Sequence, residues 1–493
     1  MASNEETNQQ LLNVAAEVHR HRNLCLTAWD LLPAPQDQLE MLNQVAGKRL
    51  TASARRTLGS AEASLAVQVG VALLPVAREM LKAAGLEALA PLLDHDLVKK
   101  ALSQATERKT KIQNTPVTQR EAPTFWTSKS VVLDIAKDDL ARLPAQVPQI
   151  QDIFPNHSLK VPRLVEEKNV PSQVQEEKAS SWGVNKIGAL SVWGAYNVRG
   201  KGVKVAVLDT GVDADHLDLK GKVKDWAEFD KDGFEVPRST PYDTDQHGTH
   251  CAGIIAGGNA SGGWIGVAPE ADLAVALVLN GGTGTVAQIL AGLEWAIEKN
   301  VDVISMSLGG LTLDVEAPDP YTRTLLTALA AGIPIVTAIG NEGSQTTGTP
   351  GNDWFAFSVG ATDHLDRAAG FSGGRTHIIR QSRYLNPDVL PLIYSKPEVS
   401  APGIAIRSAV PGNKWAAFNG TSMATPHVAG AIALLLSATN IGSRVADAQR
   451  AFLLQDLLTG SVEELGESGQ DHRYGFGRIN ILRAISFAKD RGY

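Results

Sequence analysis

Near its C-terminal end the chain contains the stretch Gly420-Thr421-Ser422-Met423-Ala424-Thr425-Pro426-His427-Val428-Ala429-Gly430. It predicts a turn that delivers a serine to the start of a buried helix, because Gly420 permits a tight backbone path and Pro426 suits a first helical turn. The small apolar residues that follow, Val428 to Ala438, predict a helix packed on nearly all sides. Ser422 would then lie beside unpaired amide donors, where a negative oxygen is stabilised. A Ser or Thr helix cap explains the same pattern and is the commoner use of such residues.

Composition indicates a globular protein of more than one domain. The 493 residues exceed one ordinary domain, and 43% hydrophobic with 20% charged residues is typical of soluble chains. A formal net charge of -7 argues against a nucleic-acid partner. Cys25 and Cys251 are too few for a disulfide framework, which favours free thiols in a reducing compartment.

The start of the chain bears on its location. Residues 1–6 are acidic and polar and lack the basic and apolar parts of a signal peptide. No uninterrupted apolar run reaches the length of a bilayer, so no membrane span is predicted. We expect a cytoplasmic protein, with export by a signal-independent route left open.

The chain divides into four predicted parts. Residues 1–105 have apolar residues at helical spacing and no catalytic constellation, so a packing or interaction domain is expected, open to a regulatory protein partner. Residues 106–164 hold a polar linker and a small α+β unit, with strands at Ser130–Ile135 and Ile150–Lys160. Residues 165–181 form a charged tether, an expected site of proteolysis, and residues 182–493 form the last domain.

The last domain shows apolar strands that alternate with helices. This pattern predicts an α/β fold with a mainly parallel sheet and helices on both of its faces. The predicted strands are Val203–Leu208, Leu273–Leu279, Val301–Ser307 and Ile333–Ile339, and the predicted helices are Val286–Lys299 and Thr322–Ala331. Functional residues gather beyond the carboxyl ends of such strands, where Asp209, Ser307 and Asn341 fall.

Nucleophilic catalysis needs a set of residue types that this domain contains. A serine hydroxyl needs a base to take its proton, and the base needs an acid to hold its ring and tautomer. The chain offers Asp209, His247 and Ser422 as candidates in that order. The side-chain amide of Asn341 is suited to donate to a developing oxyanion.

Four stretches together resemble the subtilisin-like serine proteases, or subtilases, over residues 182–493. They are Asp209-Thr210-Gly211-Val212-Asp213, His247-Gly248-Thr249-His250-Cys251-Ala252-Gly253, Gly340-Asn341-Glu342-Gly343 and the serine stretch quoted first. The resemblance implies a subtilisin-like fold and an endopeptidase that works through an acyl-enzyme. It makes Asp209 the orienting acid, His247 the general base and Ser422 the nucleophile. Asn341, with the Ser422 amide, would form the oxyanion hole.

The resemblance also implies how a protein or peptide substrate is held. Ser307-Leu308-Gly309 matches the segment that pairs with the substrate backbone and borders the first specificity pocket. Gly282-Thr283-Gly284 matches the opposing segment, and Gly340 lies on the other wall of the pocket. Main-chain pairing of this kind tolerates many substrate sequences.

The resemblance implies no cofactor for the chemistry and leaves metal ligands undetermined. Many family members bind calcium through a loop before Gly266 and an aspartate that Asp218 matches here. The loop, residues 257–264, has Ala260 where a side-chain oxygen is usual. Calcium commonly takes about 6–8 oxygen ligands, so a structural Ca²⁺ is left open and is not predicted.

The region before the protease domain implies a zymogen. Residues 130–164 resemble part of a family prodomain, whose last strand leads into the active site, and the tether at 165–181 would be its autoprocessing site. The N-terminal region is therefore expected to act as an intramolecular inhibitor. Residues 1–105 are unlike the usual prodomain.

Several alternatives stay open. The stretch Arg375–Lys396 is longer than in the family and is either a solvated loop or one near the leaving-group side that restricts substrates. A catalytically silent, peptide-binding pseudoprotease is the main rival. The presence of Asp209, His247, Asn341 and Ser422 argues against it, because a protein that only binds peptides needs none of these four residues. A serine esterase is disfavoured because Ser422 does not lie in a G-x-S-x-G stretch.

Overall fold

The computed structural model describes residues 180–493, apart from 313–314, 316–318, 382–389 and 446, together with 124–125, 127–128, 130–132 and 156–161. The helical region predicted at residues 1–105 lies outside the described residues, as does most of the predicted tether. The structural description therefore concerns the last domain and four short pieces of the chain that precede it.

The described residues form seventeen strands and nine helices. In chain order the strands are β1 (Thr124–Phe125), β2 (Ser130–Val131), β3 (Ser158–Lys160), β4 (Lys204–Asp209), β5 (Val223–Glu228), β6 (Asp272–Leu277), β7 (Thr283–Thr285), β8 (Val303–Met306), β9 (Gly310–Leu311), β10 (Ile335–Ala338), β11 (Gly348–Thr349), β12 (Phe357–Thr362), β13 (Arg375–Ile379), β14 (Leu392–Lys396), β15 (Val399–Pro402), β16 (Ile406–Val410) and β17 (Lys414–Phe418). The helices are α1 (Trp182–Lys186), α2 (Ala189–Tyr196), α3 (His247–Ala256), α4 (Val286–Glu298), α5 (Thr322–Ala330), α6 (Thr421–Ala438), α7 (Ile441–Arg444), α8 (Asp447–Thr459) and α9 (Ile481–Asp490).

A seven-stranded sheet is the centre of the domain. Its spatial order is β15-β12-β10-β8-β4-β6-β5, and every neighbouring pair is parallel. Successive residues of a strand point to opposite faces. Accordingly, Val205 and Val207 of β4 join the core that contains α3 and α6, whereas Ala206 and Leu208 join the core that contains α4 and α5. The predicted α/β architecture, a parallel sheet between two helical layers, is confirmed.

The buried helix α6 begins earlier than the sequence predicts. It starts at Thr421, so Pro426 is its sixth residue and lies inside the helix and not in its first turn. Proline has no N–H to donate to the carbonyl four residues before it, which is that of Ser422. By length and composition, α6 is the one helix of the described residues that is able to cross a membrane, and 89% of it is buried inside the domain.

Two N-terminal pieces of the chain pack on the last domain. The antiparallel pair β1–β2 places Phe125 in the core beside α4, where its side chain is buried. The strand β3 pairs antiparallel with β7, and Leu159 at its centre is buried as well. β2 and β3 fall within the strands predicted at Ser130–Ile135 and Ile150–Lys160.

The long stretch Arg375–Lys396 contains an antiparallel hairpin, β13–β14, and the expectation of a solvated loop is wrong for its strands. Alternate residues of both strands are buried, including His377, Tyr394 and Lys396. The residues between them, such as Ile378 and Ile393, are exposed. The hairpin therefore has one face packed on the domain and one face in solvent.

Candidate active site

The fold brings five of the predicted site residues to one edge of the sheet. Asp209 is the last residue of β4, Ser307 directly follows β8, and Asn341 comes shortly after β10. His247 is the first residue of α3, and Ser422 is the second residue of α6. The parallel sheet thus gathers strand ends and helix starts that are far apart in the chain.

Asp209 and His247 form a fully buried pair. His247 Nδ1 lies 2.7 Å from Asp209 Oδ1, and both side chains have 0% exposure. Burial lowers the pKa of His247. The charge of Asp209, its hydrogen bond to the ring and the neighbouring Cys251 together outweigh this effect, so the pKa of His247 stands well above its usual value. Because Asp209 accepts a hydrogen bond from the N–H at Nδ1, Nε2 is the ring nitrogen that is left to act as a base.

Ser422 makes two hydrogen bonds to Ser307. The Ser422 hydroxyl donates to the Ser307 carbonyl at 3.5 Å, and the Ser422 carbonyl accepts from Ser307 Oγ at 2.9 Å. That carbonyl has no helical donor because Pro426 occupies the position four residues on. Among the described residues His247 Nε2 has no hydrogen-bond partner, and the Ser422 hydroxyl donates to the Ser307 carbonyl instead.

A hydrogen-bond bridge through Thr210 and Asp243, which sequence reasoning missed, links the end of the strand carrying Asp209 to the first turn of the helix carrying His247. Thr210 Oγ1 donates to Asp243 Oδ1 at 2.7 Å and accepts from Gly248 N at 2.9 Å. Asp243 Oδ2 accepts from Thr249 N at 2.8 Å. The one signal in the sequence is a threonine next to Asp209, which alone does not identify its partner.

Asn341 is oriented by Thr421. Its Oδ1 accepts from Thr421 N at 2.9 Å and from Thr421 Oγ1 at 2.8 Å. The amide NH₂ lies on the side of Gly420, since a Cβ added there would be 3.3 Å from Nδ2. An amide donor fixed beside the start of α6 suits the stabilisation of an oxyanion.

The chain itself occupies the cleft between the two predicted substrate-binding segments. Lys160 N donates to Gly309 O at 3.3 Å, and Gly309 N donates to Lys160 O at 3.1 Å. On the other side, Val161 N donates to Gly282 O at 2.9 Å, and Leu159 pairs with Gly284 in the β3–β7 register. Residues 158–161 thus lie as a strand between the two segments.

The remaining histidines near the site are neutral packing groups. Burial lowers the pKa of His250 to about 3, and His250 Nε2 faces the Ala416 carbonyl at 3.1 Å. Burial lowers the pKa of His427 to about 4, and its Nδ1 lies 2.7 Å from the Met423 carbonyl. Cys251 Sγ lies 3.8 Å from His247 Nδ1, and burial raises the pKa of this thiol.

The residues that match the calcium site of the family do not fit a calcium ion. Asp218 Oδ1 accepts from Ala260 N at 2.6 Å, and Oδ2 accepts from Trp415 Nε1 at 2.7 Å. Both carboxylate oxygens therefore already have N–H donors, and Ala260 brings no side-chain oxygen. Elsewhere in the described part of the chain, possible metal-ligand atoms of Asp209, His247 and Cys251 lie within 4.8 Å of one another. Asp209 and His247, however, are already hydrogen-bonded to each other.

A comparison with protein families agrees with this geometry. The model of the subtilase family matches residues 200–477, which is more than half of the chain. The chain belongs to the subtilase family.

This subtilase is similar to several named proteases. It is 41% identical to an intracellular serine protease of Paenibacillus polymyxa over 281 residues, covering 55% of this chain and 78% of that protein. It is 38% identical to subtilisin E of Bacillus subtilis over 310 residues, covering 62% of this chain and 70% of that protein. Like them, it is a subtilisin-like serine endopeptidase, and subtilases need no cofactor for catalysis.

Proposed function

We propose that this subtilase cleaves peptide bonds in proteins and peptides with Ser422 as nucleophile, His247 as general base and Asp209 as orienting acid. The observation that carries the proposal is the buried 2.7 Å contact between His247 Nδ1 and Asp209 Oδ1. It fixes the imidazole tautomer so that Nε2 takes the Ser422 proton while Oγ attacks the scissile carbonyl. His247 then gives that proton to the leaving amine, and a water molecule repeats the sequence to hydrolyse the acyl-enzyme.

Charge on the carbonyl oxygen would be stabilised by two donors. Asn341 Nδ2 and the Ser422 backbone amide are the groups proposed for this role. Thr421 supports it because its two bonds to Asn341 Oδ1 hold the amide before the substrate arrives. Loss of one such donor typically costs about 3–4 kcal/mol of transition-state stabilisation.

Substrates would bind as an added strand in the cleft that residues 158–161 now occupy. The chain's own backbone models this mode, with pairing to Gly309 on one side and to Gly282 and Gly284 on the other. Main-chain pairing gives affinity with little dependence on sequence. A substrate amide that took the Ser307 carbonyl would also free the Ser422 hydroxyl to turn toward His247.

The same occupancy supports synthesis as a self-inhibited zymogen. Residues 158–161 exclude other peptides while they stay in the cleft, and three further contacts anchor the region that carries them. Thr127 N donates to Glu294 Oε1 at 2.8 Å, and Asn156 Oδ1 accepts from Ala287 N in the first turn of α4 at 3.0 Å. Phe125 is buried beside the same helix. Release would follow cleavage of the tether at residues 165–181.

Location and regulation are part of the proposal. A cytoplasmic site is supported by the name of the intracellular relative. A self-inhibited form suits a protease that is made among the proteins it is able to degrade. Residues 1–105 would offer the surface for a regulatory protein.

A fluorophosphonate reagent tests the nucleophile, because it labels only an activated serine. We expect the label on Ser422 in the wild type and none in Ser422→Ala or His247→Ala, with hydrolysis of an unfolded protein lost in both. The exposed Ser443→Ala is the matched control and should keep label and activity. Persistent hydrolysis in Ser422→Ala would contradict the assignment. Peptide binding without label or hydrolysis in the wild type would favour a pseudoprotease.

A further inference from the structure

The hairpin β13–β14 has a buried face that the catalytic assignment does not use. His377 pairs with Tyr394 in its register, and Lys396 follows two residues later on the same face. Lys396 is fully buried and pairs with Glu398, with Nζ 2.5 Å from Oε1. Lysine and glutamate side chains are almost never fully buried unless they are paired. The buried pair therefore requires the hairpin to pack in one defined position on the domain.

The polar groups of this face all bond to one segment, residues 347–356. His377 Nε2 lies 3.2 Å from Thr347 Oγ1 at its start. The Tyr394 hydroxyl donates to Asn352 O at 2.9 Å, and Lys396 Nζ donates to Ala356 O at 2.7 Å. The hairpin therefore holds this segment at its start, middle and end.

The start of the same segment lies between the two predicted walls of the specificity pocket. β11, which is Gly348–Thr349, pairs antiparallel with β9, the continuation of Ser307–Gly309. A Cβ added to Gly309 would be 3.2 Å from Thr349 O, and one added to Gly340 would be 3.5 Å from Gly348 N. Gly348 and Thr349 thus lie directly against both predicted walls of the pocket.

We propose that the β13–β14 hairpin is a specificity-positioning element, which sets the shape of the pocket for the residue before the scissile bond by bracing residues 347–356 from behind. The proposal rests on the proposed function, because that function assigns the pocket. The residues of the β13–β14 hairpin do not touch the reacting atoms. They act through Gly348 and Thr349.

Rigid support matters because pocket selectivity depends on small differences in fit. One methylene group in an apolar pocket changes kcat/KM by roughly 10–200-fold, and only a wall that does not yield can exert such discrimination. Burial lowers the pKa of His377 to about 4, so this histidine stays a neutral hydrogen-bonding group near neutral pH.

The test measures selectivity in the enzyme produced as the full chain, with active sites counted by fluorophosphonate. Peptides that differ only in the residue before the scissile bond, from alanine to phenylalanine and lysine, give kcat and KM for each side chain. Tyr394→Phe removes one hydroxyl, and the double variant Lys396→Met with Glu398→Gln removes the ion pair without leaving one charge unpaired. Ile393→Thr, on the exposed face of the same strand, is the control.

We expect the ratio of kcat/KM between the best and worst side chains to fall at least about threefold in Tyr394→Phe and about tenfold in the double variant, mainly through KM. Ile393→Thr should keep the wild-type ratio. Unchanged ratios in both folded variants, or an equal fall in Ile393→Thr, would overturn the role of the hairpin alone. Failure of the wild type to hydrolyse any peptide of the series would instead overturn the proposed function.

Discussion

Lys160 and Gly309 exchange two backbone hydrogen bonds, as neighbouring residues of an antiparallel sheet do. One of these residues belongs to the N-terminal part of the chain, and the other belongs to a predicted substrate-binding segment of the protease. The backbone groups of Gly309 that would pair with a substrate are therefore the ones that the N-terminal part of the chain occupies.

Weakening this inhibitory strand should activate the full chain. Leu159 is 2% exposed, and burial of a leucine contributes about 1.5–3 kcal/mol, so Leu159→Asp should favour an open cleft by a factor of about ten or more. The initial rate of peptide hydrolysis by freshly purified protein measures the effect. Ser158→Asp, at an exposed neighbour, should leave the rate near that of the wild type. Equal rates in wild type and Leu159→Asp would contradict the inhibitory role.

The bridge through Thr210 should matter for the rate of the chemical step. Thr210→Val keeps the shape of the side chain but removes the bonds to Asp243 and Gly248, which hold the Asp209 strand against α3. We expect kcat to fall about tenfold with KM little changed, the size of one lost charge-assisted hydrogen bond. Thr210→Ser keeps the hydroxyl and should retain most activity. Comparable kinetics for both variants would argue against the bridge.

The pH dependence of kcat/KM should report His247. Its pKa is raised above 6.5, and only the neutral ring accepts the Ser422 proton, so activity should rise with pH through a value above 6.5. His250 and His427 are already neutral above about 3 and about 4, and add no limb there. Asp209→Asn should move the limb to lower pH and reduce kcat by about 10³–10⁴. A wild-type limb below 6 would contradict the electrostatics.

Removal of calcium should leave the stability of the protease domain unchanged, because Ala260 supplies no side-chain oxygen to the loop and each oxygen of Asp218 already accepts from an N–H donor. Thermal unfolding of Ser422→Ala, which cannot digest itself, is to be compared in EDTA and in excess Ca²⁺. If the site bound calcium, an ion concentration about 1,000 times its Kd would add about 4 kcal/mol to the free energy of unfolding and raise Tm by roughly 10 °C. A shift of that size, reversed by Ca²⁺, would show that the site is used.

The strands that the sequence predicts best are those buried on both faces. β4 and β10 are short apolar runs between turns, and their positions were predicted to within two residues. β5 was missed because it is an edge strand in which Lys224 and Asp225 interrupt the apolar pattern. The hairpin β13–β14 was missed for a similar reason, since its buried His377 and Lys396 look like surface residues until their partners are known.

The candidate site was predictable where a residue type and a strand end coincide. Asp209 and Asn341 follow apolar strands, and Ser422 precedes an apolar helix, so the parallel fold alone brings them near one another. Asp243 and Glu294 were not predictable. Each works through one contact with a distant part of the chain, Thr210 in one case and Thr127 in the other, and nothing local marks such a contact.

The most direct test of the whole account is intact-mass spectrometry of the purified full chain during incubation, compared with Ser422→Ala. The expected result is that the wild type is cut between Leu164 and Trp182, that a serine-directed inhibitor blocks the cut, and that Ser422→Ala stays intact under the same conditions. A wild-type chain that stays whole and hydrolyses no unfolded protein would contradict it, and so would cleavage of Ser422→Ala at the wild-type rate.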